Sequence, residues 1–295
     1  MILNQNIHHP NDVTNKYFSE IMPEKLNHYF KLPGEFIRNF PTKIFLRNGS
    51  EREIDWMMLT KQNQEEMLTL VEFQSYPVNK EKIKTIADCA DYSKTYYHRP
   101  VCAIIIITEG YESSQKEYRR TASDIFKPIY IHMDWNEITE RLNNLEAKIL
   151  NQEKLTDDEA LDMVFLPMFA PKNKAKKVTE KITHLFRKDN TITGIFRCDI
   201  AFSLSIMIKK YFNLTRKGKE LLEMINPEIN ISRLKDVIDF EVDYIKRSYE
   251  KELAENKKTL AENKHALDIT NQKLVEKDKE IRALKNKLKE NGIEQ

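Results

Sequence analysis

The segment Glu53–Gln74, EIDWMMLTKQNQEEMLTLVEFQ, decides the fold. It contains two apolar runs, EIDWMML (Glu53–Leu59) and MLTLVEFQ (Met67–Gln74), separated by the polar stretch TKQNQEE. Short runs of apolar and β-branched residues bounded by polar residues predict β-strands. We therefore expect two adjacent strands here, joined by a loop.

Further strands and helices are predicted upstream of this segment. KIFLR (Lys43–Arg47) is a third extended run, and the Asn48-Gly49 pair that follows it suits a tight hairpin turn. We therefore expect the three runs to form an antiparallel meander. Apolar residues recur at helical spacing over Asp12–Tyr29, which predicts a helix, and a second short helical stretch is expected near Glu35–Asn39.

Helices and strands alternate downstream of the segment. Lys80–Tyr97 has the apolar spacing of a helix, and VCAIIIIT (Val101–Thr108) is apolar on both faces, as expected of a buried central strand. A polar helix around Ser113–Thr121 and a flanking strand, IYIHMDW (Ile129–Trp135), are also predicted. The chain up to this point therefore has the pattern of an α/β domain.

Two further regions follow the α/β domain, which we place at residues 1–136. Residues 137–244 show helical spacing, interrupted at Pro167 and Pro171. In residues 245–295 an apolar residue recurs at every seventh position: Leu253, Leu260, Leu267, Leu274, Ile281 and Leu288. Six consecutive heptads predict a coiled coil.

The second core position of this coiled coil is weak. It holds Asn256, Asn263, Thr270 and Lys277 before an apolar residue returns at Leu284. Polar core residues lower stability but restrict register and oligomeric state. We therefore expect either a homodimer held by the coil or a helix anchored by the region ahead of it, and parallel and antiparallel pairing both stay open.

Asp55, Glu72 and Gln74 are the candidate site residues. Asp55 lies within the first apolar run, where a charged side chain needs a partner or a metal, and alternation places Glu72 and Gln74 on one face of the second. If the two strands pair, Asp55 meets Glu72 across the ladder and offers hard oxygen ligands for Mg²⁺, with Mn²⁺ as an alternative. Gln74 would position a water or a phosphate by hydrogen bonds, but its amide cannot supply the positive charge of a lysine.

The order of these elements and residues resembles the PD-(D/E)XK nuclease superfamily. EIDWMML and LVEFQSYPVNKEKI are similar to its recombination-promoting nuclease branch, which is transposase-like and often has Glu-x-Gln in place of Glu-x-Lys. The resemblance covers roughly Asp12 to Trp135. It implies a restriction-endonuclease-like core, with a mixed sheet flanked by helices, that binds DNA and acts as a metal-dependent endodeoxyribonuclease. It also implies that Asp55 and Glu72 are metal ligands, with the Phe73 carbonyl as a further one.

The sequence departs from the superfamily pattern in two places. No proline precedes Asp55, and the acid often found on the first helix is not identified, since Glu20, Glu24 and Glu35 all qualify. Two other functions therefore compete with the nuclease. One is a catalytically degenerate nuclease fold that binds DNA or a protein and is recruited through its coil. The other is a coiled-coil scaffold, which leaves the Asp55 and Glu72 pattern unexplained.

Two local clusters are weaker candidates for contact with DNA. Tyr92, Tyr96, Tyr97, His98 and Arg99 end the helix after Gln74 and either line a DNA path or pack the helix end. The run PKNKAKKVTEK (Pro171–Lys181) suits either phosphate binding or a solvated helix start, whereas His8 and His9 suit solvent better than a metal.

Composition sets the remaining expectations. The 48 basic and 46 acidic residues nearly cancel, so the net charge of +2 gives no argument for nucleic acid across the whole molecule. Three scattered cysteines fit a reducing compartment, and the sequence has neither a signal-peptide pattern nor an apolar run of about 20 residues. We therefore expect a cytoplasmic protein that does not contact a membrane.

Overall fold

The computed structural model describes residues 10–45, 51–112, 115–121, 123–213 and 215–225, together with the isolated residues Lys264 and Lys277. This part of the chain is an α/β protein with eight helices and a mixed five-stranded sheet. The helices are α1 (Pro10–Ile21), α2 (Pro23–Tyr29), α3 (Lys80–Tyr97), α4 (Trp135–Leu150), α5 (Asp157–Phe169), α6 (Lys172–Lys188), α7 (Gly194–Phe212) and α8 (Arg216–Ile225). The strands are β1 (Glu35–Asn39), β2 (Lys43–Phe45), β3 (Glu51–Glu53), β4 (Trp56–Gln62), β5 (Glu65–Gln74), β6 (Val101–Ile107), β7 (Tyr118–Arg119), β8 (Ile125–Phe126) and β9 (Ile129–Ile131).

The main sheet has the strand order β1-β4-β5-β6-β9. Its first three strands pair antiparallel, whereas β5, β6 and β9 run parallel to one another. β5 is the central strand and is buried over its last seven residues, from Leu68 to Gln74. The expected α/β class, the helix at Lys80–Tyr97 and the buried strand that begins at Val101 are therefore confirmed.

Helices cover both faces of the sheet. On one face, Cys89 and Ala90 of α3 pack against Met57 of β4 and Leu70 of β5. On the other face, the ring centroid of Phe30, which follows α2, lies 6.0 Å from that of Phe73 of β5 and 5.1 Å from that of Phe165 of α5. Because Glu72 and Gln74 share the face of Leu70, alternation places both beneath α3.

The predicted helix near Glu35–Asn39 is wrong, because these residues form β1. The strand lies along β4, with Glu35 opposite Lys61 and Asn39 opposite Met58. Gly34 precedes it at a φ of +79°, and a Cβ at this position would lie only 2.9 Å from the Lys61 carbonyl oxygen. A glycine therefore lets the chain turn tightly onto the sheet edge, and long-range pairing outweighs local helix preference.

The predicted meander is only partly correct. β4 and β5 form an antiparallel hairpin, but β2 pairs with β3 in a separate two-stranded sheet. The run EIDWMML is not one strand, since Ile54 and Asp55 interrupt it and Asp55 sits at a bend between β3 and β4. Asp55 therefore lies immediately before β4 rather than in the middle of a strand.

Three other boundaries differ from the expectation. The helix predicted over Asp12–Tyr29 is broken at Pro23, which cannot donate a backbone hydrogen bond and opens α2. The polar helix predicted around Ser113–Thr121 is wrong for residues 115–121, where the structure has β7. The last strand ends at Ile131, and α4 begins at Trp135, where the Asp134 side chain accepts a hydrogen bond from the Glu137 N–H and caps the helix.

The helical region after Trp135 is confirmed as far as Ile225, through α4 to α8. The chain divides into two compact units, Met1–Lys235 and Asp236–Gln295, and every element above belongs to the first. The predicted coiled coil falls outside the described residues except for Lys264 and Lys277, which are helical. Within the part of the chain that the structure describes, no helix is both long and apolar enough to cross a bilayer.

Candidate active site

Asp55 is held against the end of β5 by a backbone hydrogen bond. The ladder between β4 and β5 ends at the pair Trp56 and Val71, and one residue before it the chain bends. There the Phe73 N–H donates to the Asp55 Oδ2 atom at 2.8 Å. The half-buried Asp55 carboxylate thus extends the ladder by one bond, which fixes its orientation beside Glu72.

Glu72 is a buried carboxyl group with two charged neighbours. Its side chain is only 4% exposed, and its Oε2 atom accepts a hydrogen bond from the Lys82 Nζ atom at 2.7 Å. Burial raises the pKa of Glu72 to about 8; the charge of Asp55 and a hydrogen bond with it add to the rise, and the Lys82 ammonium opposes it. The site therefore favours the protonated carboxyl group more than water does, and the Lys82 ammonium is the neighbour that stabilises the ionised form.

Lys82 is the site residue that the sequence did not reveal. It lies in the first turn of α3, where its N–H donates to the side chain of the capping residue Asn79 at 2.8 Å. Burial lowers the pKa of Lys82, but the charge of Glu72 and their hydrogen bond outweigh it, so that the pKa is raised and the ammonium stays charged. The one available signal was the short connection between Gln74 and the predicted helix at Lys80, which brings the first turn of α3 close to the end of β5.

The Gln74 side chain is buried, and of its two polar atoms one has a hydrogen-bond partner among the described residues. Its Nε2 atom donates to the Phe73 carbonyl at 3.0 Å, and its Oε1 atom is buried without a hydrogen-bond partner among the described residues. A buried amide oxygen without a partner is costly, which indicates that a donor or a cation belongs beside it. The Phe73 carbonyl, expected as a metal ligand, is thus already engaged by one bond and retains its second lone pair.

A polar network fixes the end of β5 from the opposite side. The N–H and hydroxyl of Thr108 both approach the Gln74 carbonyl oxygen, at 2.8 Å and 3.2 Å. The Ser75 hydroxyl lies 3.1 Å from that of Thr108 and accepts from the Asn11 Nδ2 atom of α1 at 3.0 Å. Asn11 also contacts Glu109, which forms an ion pair with a lysine of α7. Thr108 therefore holds the backbone at Gln74, and the chain of contacts through Ser75 and Asn11 connects this point to α1 and α7.

None of the acids considered for the first helix completes a metal cluster. Glu20 and Glu24 are exposed, and Glu35 lies opposite Lys61, about 17 Å along β4 from Trp56 at the usual strand rise. Among the described residues there is no group of three or more His, Cys, Asp or Glu side chains that could hold a metal ion. The candidate ligands at this end of β5 are therefore the two carboxyl groups and the neighbouring amide and carbonyl oxygens.

The weaker candidates fall into two groups. The tyrosines Tyr92, Tyr96 and Tyr97 lie in the last turns of α3, and Arg99 pairs with Glu66. Most lysines of the basic run have partners within the chain: Lys172 pairs with Glu109, Lys181 pairs with Glu146, and Lys174 and Lys176 lie over the rings of Trp135 and Phe212. The run is therefore largely used in packing α6, whereas His8 and His9 fall outside the described residues.

The chain matches no protein-family model, no curated protein sequence and no solved structure.

Proposed function

We propose that this chain is a Mg²⁺-dependent DNA endonuclease with a restriction-endonuclease-like core, of the recombination-promoting nuclease type. One observation carries the proposal: Asp55 and Glu72 adjoin each other beside the ammonium of Lys82 at the end of the central strand. Phosphodiester hydrolysis needs a hard cation, a water and positive charge near the phosphate. These three residues offer ligands for the cation and a fixed positive charge.

The donor set fits Mg²⁺ or Mn²⁺. The carboxylates of Asp55 and Glu72 would hold the ion, with the Phe73 carbonyl as a further ligand, and the Gln74 Oε1 atom is a buried oxygen that still needs a partner. Mg²⁺ commonly binds through one or two carboxylates and keeps several waters, so a third acid is not required. When bound, the ion supplies charge that polarises a phosphodiester and makes an adjacent water more acidic.

The chain's own residues then position and stabilise the reacting groups. The Phe73 N–H keeps Asp55 in place, while the Gln74 Oε1 atom accepts a hydrogen bond from a water and orients it. If the metal ion neutralised the Glu72 carboxylate, the Lys82 ammonium would no longer be needed there and would donate a hydrogen bond to a phosphate oxygen. Lys82 thereby supplies the positive charge that the Gln74 amide lacks.

One observation favours a second function, in which a degenerate nuclease fold binds DNA or a protein without cutting. The Lys82 ammonium lies 2.7 Å from the Glu72 carboxylate and compensates its charge. In a nuclease fold that had lost its metal ion, a lysine that took over this charge compensation would lie in the same position. In that case Asp55, Glu72 and Lys82 would form a structural ion-pair cluster.

Incubation of supercoiled plasmid with the purified full chain, in Mg²⁺ or in EDTA, separates the two functions. The nuclease should cut only with Mg²⁺, and Asp55→Asn and Glu72→Gln should each abolish cutting while most DNA affinity remains, because affinity comes mainly from contacts to phosphates. Asp55→Asn retains an oxygen that can accept from the Phe73 N–H, so the fold should survive. Glu81→Gln, a neutralisation of an exposed acid on α3, is the matched control and should cut normally. Plasmid binding without cleavage by the wild-type chain would favour the degenerate fold.

A further inference from the structure

Four aromatic side chains form a continuous strip at the far end of α3. The rings of Tyr92 and Tyr96 stack with centroids 5.4 Å apart and planes 13° apart. Tyr97 packs edge-on against Tyr96 at 4.9 Å and against Phe40 at 5.2 Å. We name Phe40, Tyr92, Tyr96 and Tyr97 the aromatic strip.

The aromatic strip is open to solvent at Tyr96. This side chain is 62% exposed although it has two aromatic neighbours, so much of its ring surface is free for a flat ligand. Among the large hydrophobic side chains exposed in the described residues, two are aromatic, Tyr96 and Tyr76, and Tyr76 is 57% exposed. Tyr76 lies close enough to Lys82 to influence its pKa, which places it beside the candidate active site. Exposed rings therefore occur at both ends of α3.

Positive charge accompanies the rings. The Arg38 guanidinium lies 4.2 Å from the centroid of the Phe40 ring, and Arg52 lies near Cys89 in the middle of α3. Both arginines are exposed, and no ion pair to a carboxylate is found for either among the residues that the structure describes. Two of the nearby acids are instead already paired, Asp91 with Arg120 and Glu66 with Arg99. The surface thus suits a ligand that is flat and negatively charged.

The separation of the strip from the active site suits a short stretch of DNA strand. Tyr92 and Tyr96 follow Lys82 by ten and fourteen residues, which is about 15 and 21 Å along a helix that rises 1.5 Å per residue. At the duplex rise of about 3.4 Å per nucleotide this distance corresponds to roughly four to six nucleotides, and an unstacked single strand, which is more extended, would span it with fewer. Only unpaired bases can stack on a protein ring, because in a duplex their faces are covered by their neighbours.

We propose that the aromatic strip binds unpaired bases of a single DNA strand that runs from the candidate active site along α3, so that the preferred substrates carry a single-stranded segment. This inference rests on the proposed nuclease function for its substrate and on the exposed, stacked rings for its site. Stacking on aromatic side chains tolerates any base, so the strip selects for single strands rather than for a sequence.

Binding of the full chain is measured to a fluorescein-labelled oligothymidylate of about fifteen nucleotides and to a blunt duplex of the same length. Both measurements are made in EDTA, which prevents cleavage. Tyr96→Ala should weaken binding of the single strand about tenfold and that of the duplex less than about twofold. Tyr96→Phe retains the ring and should bind like the wild type. Ile195→Ala, which removes another side chain that is 62% exposed, is the matched control and should leave both affinities unchanged.

Four outcomes would overturn the inference: no binding of oligothymidylate by the wild type, no loss in Tyr96→Ala, an equal loss in Tyr96→Phe, or tighter binding of oligouridylate, which would point to RNA. Failure of the nuclease proposal gives a different result. In that case plasmid stays intact in Mg²⁺ while the dependence of single-strand binding on Tyr96 persists.

Discussion

The Lys82 Nζ atom donates a hydrogen bond to the buried Glu72 carboxyl group over 2.7 Å, from the first turn of a helix to the end of the central strand. This contact places a lysine at the site although the residue two positions after Glu72 is a glutamine. A positive charge within a partly buried site stabilises developing negative charge more strongly than it would in water. The pair therefore makes Lys82 a candidate for the charge that phosphoryl transfer requires.

Replacement of Lys82 by alanine should lower Mg²⁺-dependent cleavage about a hundredfold, the usual effect of losing one preorganised charge or donor. The ammonium opposes the rise in the pKa of Glu72, so its loss should also move the pH profile of cleavage to higher pH. Initial rates between pH 6 and 9 measure both effects. Lys84→Ala removes an exposed lysine from the same helix and is the matched control. Cleavage by Lys82→Ala at the parental rate and pH profile would remove Lys82 from the mechanism.

A lysine at position 74 should partly replace Lys82. Gln74 lies on the same strand face as Glu72, two residues and about 7 Å away, so a lysine there can reach the same carboxylate. The double variant Lys82→Ala, Gln74→Lys should cleave at least about tenfold faster than Lys82→Ala, since it restores the charge that was removed. Gln74→Lys alone should keep only part of the activity, because two ammonium groups then repel each other. The control is Lys82→Ala combined with Gln74→Met, which supplies a long side chain at position 74 without a positive charge. This variant should cleave no faster than Lys82→Ala.

Glu72 should make the protein less stable as the pH rises. Its pKa is about 8 in the folded protein and about 4.3 in an unfolded chain, so the folded state binds the proton more tightly in between. The free energy of unfolding should therefore decrease as the pH rises from about 5 to 8, because over that range the folded state keeps a proton that the unfolded chain has already lost. Glu72→Gln cannot titrate and should lack this decrease. Urea unfolding in EDTA at several pH values compares the two proteins, with Glu81→Gln as an exposed control. Parallel curves for wild type and Glu72→Gln would contradict the assigned pKa.

Local sequence patterns correctly predicted those helices and strands whose formation is determined by the residues within them. The helix at Lys80–Tyr97 has a full amphipathic period and a capping asparagine, and the strand from Val101 is apolar throughout, so both were identified correctly. Glu72 and Gln74 followed from alternation within β5. These predictions needed no knowledge of distant contacts.

Features that depend on distant residues were missed for that reason. Glu35–Asn39 becomes a strand only because the edge of β4 is available to pair with it, and the bend at Asp55 depends on the Phe73 N–H across the hairpin. Lys82 joins the site because α3 packs back onto β5, and its periodic helix gives no reason to choose it over Lys80 or Lys84. The sequence indicated that Asp55 and Glu72 meet, but it did not show the bend at Asp55 or the contact of Lys82 with Glu72.

The C-terminal heptads predict that the protein is a dimer. The helix predicted over residues 245–295 would carry a stripe of six apolar residues that needs a facing helix, and a second copy of the chain is the simplest supply of one. Asn256 and Asn263 would then pair across a parallel coil and favour two strands in register at some cost in stability. If the proposed nuclease function is correct, two sites in one dimer would address both strands of DNA. A chain that ends at Tyr249 should therefore be smaller in solution, and should still nick plasmid but make fewer double-strand breaks.

Light scattering at micromolar concentration tests the dimer with single substitutions in the full chain. Leu267→Glu places a charge in the predicted core and should shift the mass toward that of a monomer, because a charge buried between two helices is costly. Gln272→Glu places the same charge on the side of the predicted helix that faces away from the stripe, and should leave the mass unchanged. A monomeric mass for the wild-type chain would rule out the dimer. A dimeric mass for both Leu267→Glu and the chain that ends at Tyr249 would place the interface in the region ahead of the coil.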